Sequence, residues 1–355
     1  MTKKKVLLLL TDLENRKFFG GIQMYNHSLL NSLRNLNYNC NFFTLNDYNQ
    51  NGCSQSKSKF IFRFLKQILL FKPDLVICGH INFAFLCQRA CKPLGIPYYV
   101  ICHGIDALNM SRSKITALQK AEKLIAVSKY TQKNVQQQTH NNNFFLLPPC
   151  VDNNKFKIVP RSQNLTQKWN LHKKDKIILT ICRLSKKEMY KGYDIIINVL
   201  PQVLESVKNV KYILGGTGDD LTRVKNLVSQ KNLHDNVIIT GFIPDDEIVD
   251  YYNLCDIFAM PSQKEGFGIV FTEASCCGRP TLAGNKDGSS DAVLEGKTGI
   301  LVNPDDPQQI ANSLITFLNN NADPKFYDRE YLRNQTVEAY SYENFKKRVE
   351  NVMQA

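Results

Sequence analysis

Short apolar segments alternate with longer helical segments along this chain, and that pattern constrains its fold most. Six apolar runs in the first half fit buried strands, at Val6–Leu10, Asn41–Leu45, Leu75–Cys78, Tyr98–Cys102, Lys123–Val127 and Phe144–Leu147. Helical segments lie between them, at Ile22–Arg34, Phe60–Phe71, Phe83–Pro93 and Lys129–Gln138. Because parallel strands need long crossover connections, the alternation predicts a doubly wound parallel α/β sheet.

The pattern breaks after the sixth strand and then starts again. Pro148-Pro149 and the polar stretch from Asp152 to Asn170 are typical of an interdomain linker. Further strands are predicted at Lys176–Cys182, Val210–Leu214, Val237–Thr240, Ile257–Met260, Pro280–Ala283 and, at an edge, Ile300–Val302. Helices are predicted at Tyr193–Glu205, Asp220–Lys231, Asp245–Leu254, Val270–Cys277 and Pro307–Asn319. We therefore expect two doubly wound domains, residues 1–168 and 169–341, facing each other across a ligand-binding cleft.

The two predicted domains differ in charge. Residues 1–168 hold 23 Lys+Arg and 7 Asp+Glu, whereas the remainder holds 22 and 25. The basic first domain indicates an anionic partner, such as a membrane surface or a lipid-linked phosphate, or simply a solvated surface. Nucleic acid is not expected, because no nucleic-acid module or basic-aromatic stacking motif occurs. The amphipathic segment 342–355 is expected to pack back on the first domain.

The composition indicates a globular protein of the cytoplasm. The 11 cysteines lie in apolar runs without metal-binding spacing, so reduced and buried thiols are expected rather than disulfides or zinc ligands. The apolar run Val6–Leu10 is too short for a signal peptide. Nothing approaches the ~18 apolar residues of a membrane span. We expect a cytoplasmic location, which the basic domain could shift to the inner face of a membrane.

The segment from Glu265 to Glu273 carries the strongest functional signal. Two carboxylates eight positions apart enclose a Gly-Phe-Gly turn at 266–268. The glycines predict a loop that carries Glu265 and leads into a helix that carries Glu273. Amides at a helix N-terminus favour anions, and carboxylates accept hydrogen bonds from hydroxyl groups. This combination suits a sugar nucleotide, which has both phosphate and hydroxyl groups.

Four other features also follow predicted strands. Gly20-Gly21 and the glycine-rich loop Gly215–Gly218 each lie between a strand and a helix, where backbone amides can approach a ligand. His103 follows the strand that ends at Cys102. Arg183 and Lys191 are two cations eight residues apart that could grip a diphosphate. A plain turn, a satisfied loop histidine or a surface charge would explain any one of them alone.

Together, these features resemble glycosyltransferase family 4, whose members adopt the two-domain GT-B fold. Glu265 and Glu273 match the Glu-x7-Glu motif of its retaining members. The run from Glu265 through Asp291-Ala292-Val293-Leu294-Glu295-Gly296-Lys297-Thr298-Gly299 is similar to bacterial mannosyl- and glucosyltransferases. The resemblance covers nearly the whole chain and is strongest over residues 176–305. It implies a Rossmann-like acceptor domain (1–168, with 342–355) and a Rossmann-like domain for the nucleotide-sugar donor (169–341).

The resemblance also implies a role for each matched residue. Arg183 and Lys191 match the pair that binds the donor diphosphate, although the second cation can also be aligned with Lys187. Glu273 matches the carboxylate on the ribose hydroxyls, and Glu265 the one near the donor sugar. The amides of Phe267, Gly268 and Ile269 match those near the sugar and phosphate, and Gly20-Gly21 matches the mobile loop beside the phosphate and acceptor. His103 matches the residue near the sugar 6-hydroxyl or the reaction centre. The residues that match positions around the nucleoside are Gly216, Gly218, Phe242 and Ile243.

The same resemblance implies a retaining transfer that needs no metal or other cofactor. Negative charge builds on the β-phosphate as the nucleoside diphosphate leaves, and Arg183 and Lys191 can stabilise it. Metal-dependent transferases normally use an Asp-x-Asp cluster, whereas this chain has only the adjacent pairs Asp219-Asp220, Asp245-Asp246 and Asp305-Asp306. Front-face attack is favoured over double displacement with Glu265 as the nucleophile.

The expected donor is a GDP or UDP sugar of the GDP-mannose or UDP-glucose type. Similarity of residues 265–305 to phosphoinositide mannosyltransferases slightly favours GDP-mannose. The expected acceptor is a glycan or a lipid-linked acceptor, and a soluble acceptor stays open. The alternatives are a non-catalytic sugar-nucleotide-binding subunit, or a sugar-nucleotide epimerase or phosphorylase on the same fold. An epimerase would need acid-base carboxylates, which are absent from these positions. A phosphorylase would need a pyridoxal-type lysine site.

Overall fold

The computed structural model describes residues 3–11, 13, 20–44 and 57–355. The chain divides into two compact units, Met1–Cys150 with Tyr342–Ala355, and Val151–Ser341. Each unit holds one six-stranded sheet in which neighbouring strands are parallel. The predicted α/β class with two doubly wound sheets is therefore confirmed.

The first unit alternates strands and helices as the apolar pattern predicts. Its strands are β1 (Lys5–Leu10), β2 (Asn39–Thr44), β3 (Leu75–Cys78), β4 (Tyr98–Cys102), β5 (Lys123–Ala126) and β6 (Phe144–Leu146). Its helices are α1 (Gly21–Asn35), α2 (Lys57–Phe71), α3 (Ala84–Cys91), α4 (Arg112–Gln119), α5 (Lys129–Thr139) and α14 (Tyr342–Gln354). The strand order is β2-β1-β3-β4-β5-β6, so the direction of winding reverses between β1 and β3. Ligands of such sheets bind beyond the carboxyl ends of the strands at this reversal.

Helix α14 completes the first unit. Phe345 is fully buried, and its ring meets the ring of Tyr25 on α1 edge to face, with centroids 5.5 Å apart. The ammonium of Lys123, on a strand that is otherwise apolar, donates a 3.0 Å hydrogen bond to the carbonyl of Val352. A lysine at this position can be buried because its ammonium has that partner.

The second unit repeats the design. Its strands are β7 (Lys176–Ile181), β8 (Val210–Gly215), β9 (Val237–Gly241), β10 (Ile257–Met260), β11 (Thr281–Gly284) and β12 (Gly299–Val302). Its helices are α6 (Gln163–Lys168), α7 (Tyr193–Ser206), α8 (Leu221–Gln230), α9 (Ile248–Leu254), α10 (Ile269–Cys276), α11 (Ser289–Ala292), α12 (Pro307–Leu318) and α13 (Arg329–Tyr340). The order β12-β11-β10-β7-β8-β9 places the reversal between β10 and β7, and β12 at an edge.

The stretch that was predicted to be an interdomain linker is packed into the second unit. The two units divide after Cys150 and not after residue 168. Residues 151–168 belong to the second unit, where Phe156 and Leu165 are buried. The amide of Val159 donates to Asn253 Oδ1 at 3.0 Å. Only a few of its residues face the core, and the others are polar. Its composition is therefore similar to that of a linker. The prediction also lacked α4, α6, α11 and α13, and Leu45 of the second predicted strand lies outside the described residues.

Each of the ten cysteines among the described residues is a free thiol, and seven of these are buried. Within the same residues, no helix is long and apolar enough to cross a membrane.

Candidate functional site

The loops that follow β7 and β10 carry the charged residues of the second unit's candidate site. Arg183 and Lys191 follow β7, whereas Glu265 follows β10. These two strands flank the point where the winding reverses, so their loops converge there. The amide of Gln263 donates to the carbonyl of Tyr190 at 3.0 Å and joins the two loops directly.

Lys191 and Glu265 form a close ion pair. The Lys191 Nζ lies 2.5 Å from Glu265 Oε1, and the two side chains are only 15% and 14% exposed. Burial is the largest single influence and lowers the pKa of Lys191, but Glu265, Cys182 and Tyr190 together outweigh it, so the pKa of Lys191 is raised. The pair therefore holds a fixed positive charge next to a carboxylate, which is suited to a ligand that has both phosphate and hydroxyl groups.

A second carboxylate that the sequence analysis did not assign lies between the two cations. Glu188 Oε1 is 3.2 Å from Arg183 Nη1, and Glu188 Oε2 is 3.9 Å from Lys191 Nζ. Residues Lys186–Lys191 form a 3₁₀ turn that brings Glu188 back toward both cations. Arg183 is 71% exposed, and Glu188 is its ion-pair partner on the same loop. Lys187, the alternative second cation of the sequence alignment, is exposed.

The loop that carries Glu265 is held by Asp287, which sequence reasoning missed. Asp287 is 3% exposed, and its Oδ2 accepts hydrogen bonds from the Glu265 amide at 2.7 Å and from the Ser262 hydroxyl at 2.8 Å. Its Oδ1 accepts from the amide of Ser289 at 2.9 Å. Burial raises the pKa of Asp287 and these hydrogen bonds oppose the shift. An Asp-Gly-Ser sequence, here at 287–289, is common in turns and therefore gives no specific signal of this role.

The Gly-Phe-Gly turn leads into α10 as predicted. Gly268 has a φ of 88° at the N-cap, a conformation that favours glycine, and Ile269 is the first helical residue. Phe267 is 3% exposed, and its ring packs edge to face on Tyr340 with centroids 5.2 Å apart. The amide of Phe271 donates to the carbonyl of Gly268 at 3.1 Å, and the amides at this helix N-terminus point toward the loop that carries Glu265.

Glu273 lies within α10 and is almost fully buried. It is 6% exposed, and its Oε2 accepts a 2.6 Å hydrogen bond from the hydroxyl of Tyr252. Burial raises the pKa of Glu273 to about 7, while the Tyr252 hydroxyl and the more distant Lys155 ammonium oppose the rise. This carboxylate therefore changes its charge near neutral pH.

The glycine-rich loop after β8 lies against the Arg183 loop. Gly216 has a φ of 141°, and a Cβ atom there would overlap the carbonyl oxygen of Cys182. Gly218 is in the same situation against the carbonyl of Leu184. The backbone of the two loops can be this close only because both residues lack side chains. Of the two residues predicted near the base, Phe242 is 61% exposed and Ile243 is 8% exposed.

In the first unit, His103 follows β4 and is held through both its ring and its backbone. Its Nε2 lies 2.9 Å from the carbonyl of Gly79, and because a carbonyl only accepts, Nε2 carries the proton. Its amide donates to Asp106 Oδ1 at 3.1 Å. Burial lowers the pKa of His103. The imidazole is therefore neutral, with Nδ1 as its acceptor.

His80 is a second histidine at this position of the sheet, and sequence reasoning missed it. It follows β3, its Nε2 is 3.8 Å from Asp106 Oδ2, and its ring centroid is 6.0 Å from that of His103. Its place after a buried strand is the same signal that singled out His103. Gly20 and Gly21 are exposed at the start of α1, where the Gly20 amide donates to Gln23 Oε1 at 2.6 Å.

No group of three His, Cys, Asp or Glu side chains placed to hold a metal ion occurs in the described part of the chain. The predicted roles of the site residues, and the prediction that no metal or cofactor is needed, stay predictions.

Two family models match this chain, one in each half. The family model described as "Glycosyltransferase Family 4" matches residues 19–155, and the one described as "Glycosyl transferases group 1" matches residues 162–338. A GDP-mannose-dependent α-(1-6)-phosphatidylinositol monomannoside mannosyltransferase of Mycolicibacterium smegmatis is 31% identical over 187 residues, covering 50% of this chain and 47% of the relative. The chain thus spans about half the length of this relative and of its Mycobacterium tuberculosis counterparts.

Solved structures match over the full length. Sucrose-phosphate synthase from Thermosynechococcus elongatus has a TM-score of 0.82 at 18% identity, covering 99% of this chain and 98% of that one. HepE of Anabaena, solved in complex with UDP, has a TM-score of 0.79 at 18% identity, covering 99% of each chain. These structures establish the two-domain glycosyltransferase fold. The two family models match most of the chain between them, and they show that it belongs to the family 4 and group 1 glycosyltransferases.

Proposed function

We propose that the protein is a retaining glycosyltransferase that transfers a hexose from a nucleoside diphosphate sugar to a glycan or lipid-linked acceptor without a metal ion. The observation that carries the proposal is the buried Lys191–Glu265 pair beside Arg183, at the reversal of the second sheet. Two cations suit a diphosphate, and the carboxylate suits the hydroxyls of the attached sugar.

The proposed reaction needs little covalent chemistry from the protein. The bond between the anomeric carbon and the β-phosphate oxygen breaks, and the phosphate leaves with the electron pair. The acceptor hydroxyl forms its bond to the same face of that carbon and gives its proton to the leaving phosphate. Lys191 and Arg183 stabilise the charge that develops on the phosphate, which makes a metal ion unnecessary. Glu265 orients the sugar through its hydroxyl groups.

We propose GDP-mannose as the favoured donor and UDP-glucose as the alternative. The name of the mycobacterial relatives specifies GDP-mannose, whereas HepE was solved with UDP and with UDP-glucose. A thermal-shift series with GDP, UDP, ADP and CMP in the presence of EDTA tests this choice. A nucleotide at about 100 times its Kd adds about 2.7 kcal/mol, which raises Tm by several degrees. Stabilisation by ADP or CMP alone would exclude both donors.

The substitution Glu265→Gln separates a transferase from a non-catalytic sugar-nucleotide-binding subunit. We expect kcat for hexose transfer to fall at least about 100-fold, because the carboxylate contacts the reacting sugar. Affinity for the nucleoside diphosphate should stay the same or increase a few-fold, since Lys191 loses its internal partner. Glu247→Gln is the matched control, because Glu247 pairs with Lys168 at 3.3 Å on the surface. Parallel loss of binding and transfer in Glu265→Gln would contradict the assigned role.

A further inference from the structure

The loop that carries both cations of the candidate site is joined at each of its ends to the acidic pair Asp219-Asp220. We call this loop, residues 183–191, the cation loop. The amide of Leu184 donates to the carbonyl of Thr217 at 3.0 Å, and the amide of Asp220 donates to the carbonyl of Leu184 at 2.9 Å. The cation loop therefore begins with its backbone bonded to the loop that follows β8.

The exposed side chain of Asp219 binds the next part of the cation loop. Its Oδ1 accepts a 3.0 Å hydrogen bond from the amide of Lys186, and its carboxylate also accepts from the Ser185 hydroxyl. These hydrogen bonds lower the pKa of Asp219, so it is ionised at neutral pH. Lys186 is the first residue of the 3₁₀ turn that contains Glu188 and ends at Lys191. Asp219 thus anchors the start of that turn.

Asp220 fixes the other end of the cation loop through a buried network. It is fully buried, and its Oδ2 accepts a 2.7 Å hydrogen bond from the hydroxyl of Tyr193, the first residue of α7. Arg223 of α8 pairs with Asp220 at 2.6 Å and with Asp194 of α7 at 3.0 Å, so the buried carboxylate has a cationic partner. Because Tyr193 lies two residues after Lys191, this network holds the end of the cation loop.

We propose that Asp219 and Asp220 are positioning residues for diphosphate binding, which hold the cation loop in the geometry that places Arg183 and Lys191 at the two phosphates. A loop that is ordered before its ligand arrives loses less conformational entropy on binding, and the affinity is higher for that reason. The proposal rests on the proposed function, because it takes the cation loop as the diphosphate site.

Two variants of Asp219 separate its charge from its hydrogen bond. Asp219→Asn removes the charge but keeps a side-chain oxygen that can accept from the Lys186 amide, whereas Asp219→Ala removes both. Electrostatics alone would strengthen the binding of an anionic diphosphate to the same extent in both variants. Positioning predicts that Asp219→Ala weakens binding and that Asp219→Asn does not. Because Asp219 is exposed, neither variant alters a buried side chain.

The test is isothermal titration calorimetry of the full chain with GDP, GMP, UDP and UMP. The ratio of diphosphate to monophosphate affinity measures what the second phosphate contributes. We expect this ratio to fall about 3–10-fold in Asp219→Ala, the effect of one lost hydrogen bond, and to stay at or above the parent value in Asp219→Asn. Tyr193→Phe should lower the ratio by a similar factor, because Asp220 loses the hydroxyl through which it holds the start of α7.

Asp323→Ala is the matched control. Asp323 is also exposed, and its Oδ1 accepts a 3.1 Å hydrogen bond from the amide of Lys325 at the start of a 3₁₀ turn. The substitution removes the same charge and the same kind of hydrogen bond from the second unit, at a position that follows α12. Its affinity ratio should equal that of the parent. Far-UV circular dichroism and Tm verify that each variant is folded.

Four outcomes would overturn the proposal. The parent could bind GDP and UDP no more tightly than the monophosphates, or Asp219→Ala could keep or raise the parent's ratio. Asp219→Asn could lower the ratio as much as Asp219→Ala, which would show that the carboxylate is needed for something other than the Lys186 hydrogen bond. Asp323→Ala could lower it equally, which would indicate a general loss of stability. Failure of the proposed function alone would give a different result, namely the expected ratios without hexose transfer.

Discussion

Removing the hydroxyl of Tyr252 should destabilise the second unit more at high pH than at low pH. That hydroxyl donates a 2.6 Å hydrogen bond to Glu273, a buried carboxylate whose pKa is raised by burial to about 7. Tyr252 is itself fully buried, and burial raises its pKa, so it stays protonated and acts as a donor across the neutral range. The change Tyr252→Phe removes one oxygen and leaves the ring in place.

The size of the effect follows from the pKa of Glu273. Each pKa unit corresponds to about 1.36 kcal/mol. Because the pKa of Glu273 rises from 4.5 to about 7, its ionisation costs about 3 kcal/mol more in the folded protein than in the unfolded chain. The folded state holds this proton more tightly than the unfolded state, so the free energy of unfolding falls as pH rises from about 4.5 through about 7. Above that window Glu273 is ionised, and its hydrogen bond from Tyr252 is charge-assisted.

A hydrogen bond to a charged group contributes about 1.5–3 kcal/mol, whereas one between neutral groups contributes about 0.5–1.5 kcal/mol. Tyr252→Phe should therefore cost about 1 kcal/mol at pH 5 and about 2–3 kcal/mol at pH 8.5. The variant's Glu273 should also titrate at a higher pH than that of the parent. Both effects have the same cause, the loss of a donor that favours the ionised carboxylate.

Urea unfolding at the two pH values, followed by tryptophan fluorescence, measures these costs. The chain has a single tryptophan, Trp169, and it lies in the second unit. Tyr251→Phe is the control, because the Tyr251 hydroxyl accepts a 3.0 Å hydrogen bond from Trp169 Nε1, a neutral donor whose charge is the same at both pH values. Its cost should not change with pH. An equal cost of Tyr252→Phe at pH 5 and pH 8.5 would refute the reasoning.

Three further predictions concern the candidate site. Glu188→Gln should increase the affinity for GDP or UDP about 3–10-fold in calorimetry, because Glu188 no longer competes for Arg183 and Lys191; a weaker affinity would show that Glu188 positions the cations instead. Gly216→Ala should lower the free energy of unfolding of the second unit by at least about 2 kcal/mol in urea titrations, since the new Cβ overlaps the Cys182 carbonyl; an unchanged midpoint would mean that the two loops separate freely. EDTA should leave transfer rates unchanged, and a loss that added Mg²⁺ or Mn²⁺ restores would contradict a metal-independent reaction.

The sequence predicts the sheets of this protein well because their strands are nearly all apolar. Leu75–Cys78, Tyr98–Cys102 and Ile257–Met260 have the predicted bounds in the structure. Strands covered on both faces leave little room for another interpretation. Helices α4, α6 and α13 were missed because their polar residues outnumber the few that face the core, as in Gln163–Lys168, where only Leu165 is buried.

The candidate site shows the same division. The glycines at 266 and 268 predict a turn before a helix. The sequence therefore correctly predicts that Glu265 lies on a loop and Glu273 on a helix. The partners of those residues lie far away in sequence, such as Lys191 at 74 residues from Glu265 and Asp287 at 22. Tertiary contacts of this kind leave no local pattern. The pairing of Glu188 with both cations arises from a 3₁₀ turn whose residues have no distinctive periodicity.

The position of α14 has a consequence for how this chain is synthesised. The first unit is discontinuous, since residues 342–355 complete it only after the whole second unit has been made. During synthesis, residues 151–341 form a continuous segment that can fold as soon as it has left the ribosome. The surface around Tyr25 stays uncovered until α14, which carries Phe345, has been made. Premature termination near residue 341 should accordingly damage the amino-terminal half of the protein and spare the segment closest to the stop.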